Sequence, residues 1–291
     1  MSKQNKRHDS RPKKGNSSRH KPQDGIAKQG PSRKPAPVKS TERAKGPPWI
    51  YGRHAVVAAL ANPKRNCHRL LATSEFLKKH GRELDQAIQS VERKRPDAEI
   101  MDRMEIEDLL QGGVHQGIAL QADPLPRASL DDALSQATDQ DNALFVALDQ
   151  ATDPQNIGAV LRSAAGFGAL GVIIPDKNAP EITGAMAKAA CGALERIAFI
   201  RVTNLSRTME DLKENGFWSV GLDGYAETNL SDINMTGKTL LVMGSEGTGL
   251  RRLTKEKCDF LARIPISQAI ESLNLSNATA VALYEIARQR G

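Results

Sequence analysis

Three polar loops hold the side chains of this 291-residue sequence that are best equipped for chemistry. The first, 149–156 (DQATDPQN), follows the apolar run ALFVAL and leads into IGAVLR, offering Asn156 and, six residues on, Arg162. Asn156 suits a helix N-cap, and an arginine facing solvent is commonplace, but a lone Arg on an Ala/Val/Leu/Gly helix is less ordinary. The second loop, 244–249 (GSEGTG), follows TLLVM. Gly244 and Gly249 have the spacing of a phosphate loop, yet Leu250-Arg251 stands where Lys-Ser/Thr is required, and G-x-x-G-x-G is the wrong order for a dinucleotide fingerprint. Glu246 at its centre repels phosphate and suits an amine or another cationic ligand; a plain glycine-rich turn is the alternative. The third, 264–277 (IPISQAIESLNLSN), contains Ser276 and Asn277 as candidate caps, leaving Ser272 and Asn274 with no evident structural duty. No histidine follows His115, so the second half of the chain cannot build a Ser-His triad around Ser272.

The elements that must position these loops alternate. In the first half, helices are expected over 53–61, 74–91 (Ser74 as N-cap) and 103–110, with strands at 69–72, 98–101 and 117–122. Asp123-Pro124-Leu125-Pro126 closes that unit, and a polar stretch to Asn142 reads as a linker with one short helix. In the second half, strands are expected at 143–148, 171–174, 198–202, 217–222, 239–243 and 262–266. Helices fall at 157–165, 182–194, from Asn204 to Gly216, and at 277–290. Unbroken apolar strands between helices indicate a parallel sheet covered on both faces, and ligands of such sheets bind beyond the strands' carboxyl ends.

Charge divides the chain unevenly. The net charge is +7, but residues 1–48 carry 14 Lys+Arg against 3 Asp+Glu, seven prolines and no aromatic residue, so the remaining 243 residues are net −4. Such a tail cannot bury enough apolar surface to offset its ordering entropy and reads as disordered. It is either a polycation for phosphates or a solubiliser. The longest apolar run, 143–148, is far too short for a membrane span, and no secretory signal is readable. The scattered Cys67, Cys191 and Cys258 argue against a disulfide scaffold or zinc site and fit a reducing compartment.

Taken in order, the three loops resemble the three motifs of the SpoU/TrmH branch of the SPOUT RNA methyltransferases. The matching segments are N-I-G-A-V-L-R with the following F-G (156–168), M-G-S-E-G-T-G-L (243–250) and I-P-I…S-L-N-L-S-N-A (264–278). The first half, with Ile50-Tyr51-Gly52-Arg53-His54-Ala55 and Val114-His115-Gln116-Gly117, is similar to the substrate-binding domain of bacterial 23S rRNA guanosine 2′-O-methyltransferases. The basic tail departs from the family pattern.

Composition sets off a disordered basic tail (1–48) and a linker (123–141); the resemblance implies that the rest is an α/β protein with a small α/β RNA substrate-binding domain (49–122) and a parallel-sheet domain with a deep trefoil knot (142–291). It implies methyl transfer from S-adenosylmethionine to a ribose 2′-OH of RNA, with a guanosine in 23S rRNA as the leading target. It also implies a homodimer through the knotted domain, no metal, and a cytoplasmic location. Carried over, Arg162 acts on the hydroxyl, Asn156, Glu246, Ser272 and Asn274 position it and the ribose, and Gly244, Ile264 and Leu273 contact the cofactor. Alternatives are a tRNA ribose methyltransferase, a non-catalytic RNA-binding or assembly module, and more distantly a nucleotide hydrolase, which the missing Lys and Glu246 oppose.

Overall fold

The computed structural model describes residues 46–177 and 179–291; most of the expected disordered tail lies outside them. The first sheet is short and mixed. It comprises β1 (Trp49–Tyr51), β2 (Cys67–Ala72), β3 (Ala98–Ile100) and β4 (Ile118–Ala122) in the order β1-β4-β2-β3, with only β2 and β3 parallel. Its helices are α1 (Arg53–Ala61), α2 (Ser74–Gln89) and α3 (Arg103–Leu109). β1 was not foreseen, and Pro48 O accepts the Ala122 amide, so the last residues assigned to the tail are tied to β4. The α2 cap is Thr73, whose hydroxyl accepts from Phe76 N, rather than Ser74.

The stretch expected as a linker contains α4 (Leu130–Ala137), with Ala133 and Ala137 buried. From there the chain runs through β5 (Ala143–Leu148), α5 (Pro154–Gly166), β6 (Gly171–Pro175), α6 (Gly184–Ala190), β7 (Ala198–Val202), α7 (Leu205–Glu214), β8 (Trp218–Leu222), β9 (Lys238–Met243), α8 (Arg252–Lys257), β10 (Phe260–Ala262) and α9 (Leu275–Arg290). Six parallel strands form the second sheet in the order β10-β8-β9-β5-β6-β7, as the unbroken apolar runs required. The two largest boundary shifts are at α6 and β10. The expected helix over 182–194 ends at Ala190 because Cys191 (φ 49°) and Gly192 (φ 87°) are left-handed, and a short 3₁₀ turn at Ala193–Glu195 follows. The last strand is Phe260–Ala262 rather than 262–266, and α8, whose RLTKEK lacks an apolar stripe, was missed.

All six residues of β5 are buried, and they alternate between two cores. Leu144, Val146 and Leu148 face a core shared with α5, α6, α9 and the first sheet, whereas Ala143, Phe145 and Ala147 face α4 and α7. The first core therefore joins the two sheets. A buried ionic cluster reinforces the join: Arg65 Nη2 donates to Glu195 Oε1 at 2.6 Å, with the side chains 4 % and 6 % exposed. Asn62 Nδ2 donates to the other Glu195 oxygen at 2.6 Å. Arg95 completes the cluster by donating to the Leu60, Asn62 and Arg65 carbonyls.

Candidate active site

Beyond the carboxyl ends of β5 and β9 the first two loops are stapled together. Asp149, wholly buried at the end of β5, accepts from Arg251 N (3.0 Å) and Arg251 Nε (2.7 Å), and pairs with Nη2 at 2.6 Å. Neither residue stood out in the sequence, although a carboxylate ending six apolar residues was a signal of a buried partner. Asp153, with Pro154 at the first helical position, caps α5 by accepting from Gln155 N and Asn156 N. The capping role expected for Asn156 thus falls to Asp153, leaving the Asn156 amide free.

That amide meets the other two loops at one atom. Glu246 Oε1 accepts from Asn156 Nδ2 at 2.7 Å, from Asn274 Nδ2 at 2.7 Å and from Leu275 N at 3.2 Å. Asn274 Nδ2 also donates to Asn156 Oδ1 at 3.0 Å, closing a triangle. Asn274 does have a structural duty. Its Oδ1 caps α9 by accepting from Ser276 N and Asn277 N, so neither Ser276 nor Asn277 is the cap, and α9 starts at Leu275. One side chain therefore starts the last helix with its oxygen and binds the Glu246 carboxylate with its nitrogen. The positive end of the α9 dipole favours a negative charge at that place.

The other expected site residues lie around this triangle without joining it. Arg162, exposed on α5, and Ser272, exposed before α9, make no side-chain hydrogen bond or ion pair among the described residues. Gly244 follows β9, and Ile264 and Leu273 flank the third loop; all three are half-buried. A Cβ on Gly244 would stand 2.2 Å from the Gly249 carbonyl carbon and 2.4 Å from Leu250 N, so only glycine lets the loop fold this tightly. Ser245 and Gly249 close it with a reciprocal backbone pair. Among the described residues no group of His, Cys, Asp and Glu is arranged to hold a metal ion.

Residues 143–284 match the SpoU rRNA Methylase family, and residues 49–128 match the RNA 2′-O ribose methyltransferase substrate-binding family. A 23S rRNA (guanosine-2′-O-)-methyltransferase RlmB from Pseudomonas syringae pv. tomato is 41 % identical over 245 residues, covering 83 % of this chain and 95 % of that one. The chain belongs to the SpoU methyltransferase family. Its similarity to the RlmB of Coxiella burnetii is of the same order, 42 % over 247 residues, covering 83 % and 95 %. Among solved SpoU methyltransferases, AviRb from Streptomyces viridochromogenes, in complex with the cofactor AdoMet, superposes with a TM-score of 0.67 at 26 % identity, covering 83 % of this chain and 89 % of that one. The triangle of Asn156, Glu246 and Asn274 lies within the segment matched to the SpoU methylase family.

Proposed function

We propose that this protein transfers a methyl group from S-adenosylmethionine to the 2′-hydroxyl of a guanosine ribose in 23S rRNA. The observation that carries the reading is the convergence of all three motif loops on Glu246 Oε1. The residues present suit the cofactor. The tight turn at Gly244 presents backbone groups rather than side chains, and Ile264 and Leu273 supply apolar wall. Glu246 keeps the loop negative, which suits a positively charged sulfonium. Bound there, S-adenosylmethionine supplies an electrophilic methyl group.

The remaining work belongs to side chains of this chain. Arg162, by its charge and forked geometry, suits stabilisation of charge rather than proton removal. It holds the phosphate beside the target ribose and stabilises the ribose oxygen as negative charge develops on it. Having no partner among the described residues, it is free to do both. Asn156, Glu246 and Asn274 fix the relative positions of the loops, and Ser272 offers its hydroxyl to the ribose. The 2′-OH is itself what separates RNA from DNA as substrate.

The domain reading goes with the function: 49–122 selects the RNA, 142–291 carries out transfer through a deep trefoil knot, 123–141 joins them, and the basic segment 1–48 adds affinity for RNA. The knot is supported by the course of the chain, which leaves the sheet at its β10 edge and returns past the second loop to place Asn274 against Asn156. A homodimer through the knotted domain is supported by exposed apolar side chains on α9, Val281 at 44 % and Tyr284 at 60 %, the latter edge-on to Phe167. No described helix is long and apolar enough to cross a membrane, and we assign the protein to the cytoplasm, where its rRNA substrate lies. Tritiated-methyl transfer to separated 23S rRNA and tRNA, followed by mapping of the modified ribose, tests the reading. Label at a guanosine of 23S rRNA is expected; label on tRNA alone overturns the target, and label on neither overturns the activity.

A further inference from the structure

A groove of about 910 Å³ lies beyond the carboxyl ends of β9, β5, β6 and β7 and is bordered by the first two loops. Its walls carry the hydroxyls of Thr152, Thr203, Ser206 and Thr248 and the cations Lys177, Arg251 and Arg252. No carboxylate lines it among the described residues, although the sequence beyond residue 48 is net negative. The cavity of the first sheet differs in this respect, being lined by Glu75 and Asp102 among its cations.

The three cations are not equally committed. Arg251 is fixed by Asp149 through Nε and Nη2, and its side chain remains 47 % exposed, so it is a guanidinium held in place with donors to spare. Arg252 pairs with Glu256 across solvent, with 79 % and 52 % of the side chains exposed, a contact of little strength. Lys177 has no ion pair among the described residues. Hydroxyls and cations with no carboxylate among the lining residues are what an anionic, hydrogen-bond-accepting backbone requires. From β9 to β7 the groove crosses four strand ends, about 14 Å at ~4.8 Å per strand, the extent of a run of nucleotides rather than of one phosphate.

We propose that this groove holds the phosphodiester backbone of the RNA strand that flanks the target ribose. The inference rests on the methyltransferase reading above and adds to it a strand-binding site on the catalytic half of the chain. The two loops that border the groove at Thr152 and Thr248 carry Asn156 and Glu246, so a strand lying there arrives at the triangle by its own continuation.

The experiment uses the full chain with Lys177→Gln and Arg252→Gln combined, leaving Arg251 to its structural partner. The double variant raises the KM for a 23S rRNA fragment about 10-fold, while the KM for S-adenosylmethionine keeps its wild-type value. The slope of log affinity for the RNA against log salt falls by about 1.4, two single-strand phosphate contacts at ~0.7 each. An unchanged RNA KM together with an unchanged slope overturns the groove. Guanosine monophosphate competing with the fragment as well as an oligonucleotide does also overturns it, because the site would then hold a mononucleotide. Wild-type protein that binds the RNA without transferring a methyl sinks the activity instead, and the salt slopes still decide the groove.

Discussion

Two glutamates gather donors from distant parts of this chain, and they do so in opposite surroundings. Glu195 is buried, uses both oxygens, and has a charged partner in Arg65. Glu246 is exposed, accepts only through Oε1 among the described residues, and is held by two amides and a backbone N–H. Burial makes a satisfied ionic cluster costly to break, whereas exposure makes a hydrogen-bonded one cheap to rearrange. The first arrangement joins the two sheets, and the second holds three loops in register while leaving one carboxylate oxygen unbonded. The contrast separates the part of the molecule that holds it together from the part that acts.

The largest expected effect falls on the buried side. Glu195→Ala leaves Arg65 charged and buried, with a cost of about 3–5 kcal/mol. Its denaturant midpoint should drop sharply with an unaltered urea m-value. A loss within 1 kcal/mol would mean that the cluster does not join the sheets. Next comes Arg162→Ala. Removing a donor to developing charge costs about 10²–10³ in turnover, while affinity for S-adenosylmethionine and the melting temperature stay put, since Arg162 is exposed and has no partner among the described residues. Turnover at the wild-type rate in that variant would refute its role.

A third effect tests the comparison directly. Glu246→Gln keeps the shape of the side chain and removes its charge. Stability should change by less than about 1 kcal/mol, the range of an exposed pair. Turnover should fall by about 10- to 100-fold, because the neutral amide oxygen left in place of the carboxylate holds Asn156 and Asn274 more weakly and a misplacement of about 1 Å can cost that much. A large stability loss with normal turnover would make Glu246 a second Glu195 and erase the distinction.

The sequence exposed the loops because each polar run follows a mainly apolar strand, and that contrast is local. It misjudged what each amide does, because the helix start depends on which of several neighbouring caps wins and the remaining partners lie far along the chain. Asn156 looked like a cap until Asp153 and Pro154, just upstream, took the helix start. Asn274 looked idle because its partner Asn156 lies 118 residues away. The tie between Asp149 and Arg251 was invisible for the same reason, spanning 102 residues. At the level of elements, β5 was readable because it is buried on both faces. β1 was not, since three residues at a sheet edge carry no period, and α8 has no apolar stripe to betray it.

The smallest effect is one of pH, and it separates stability from turnover. His115 is 2 % exposed; its Nδ1 accepts from Gly117 N at 3.1 Å, and its Nε2 has no hydrogen-bond partner among the described residues. Burial pushes its pKa below the ordinary histidine value, and the Arg103 guanidinium and Lys188 push the same way against Glu107. The folded protein therefore protonates His115 at a lower pH than the unfolded chain, which takes up the proton near pH ~6.5. The contribution of this residue to stability is complete above that pH and is lost as the pH falls below it. Urea midpoints at pH 7.5 and 5.5 should show a steeper decline in wild type than in His115→Gln, and identical declines would mean that the imidazole is not held neutral. The same substitution should leave the pH dependence of methyl transfer unchanged, since the chain beyond His115 contains no histidine. A shifted rate profile would instead bring this buried residue into the part of the molecule that acts, and the division drawn between Glu195 and Glu246 would not extend to the rest of the chain.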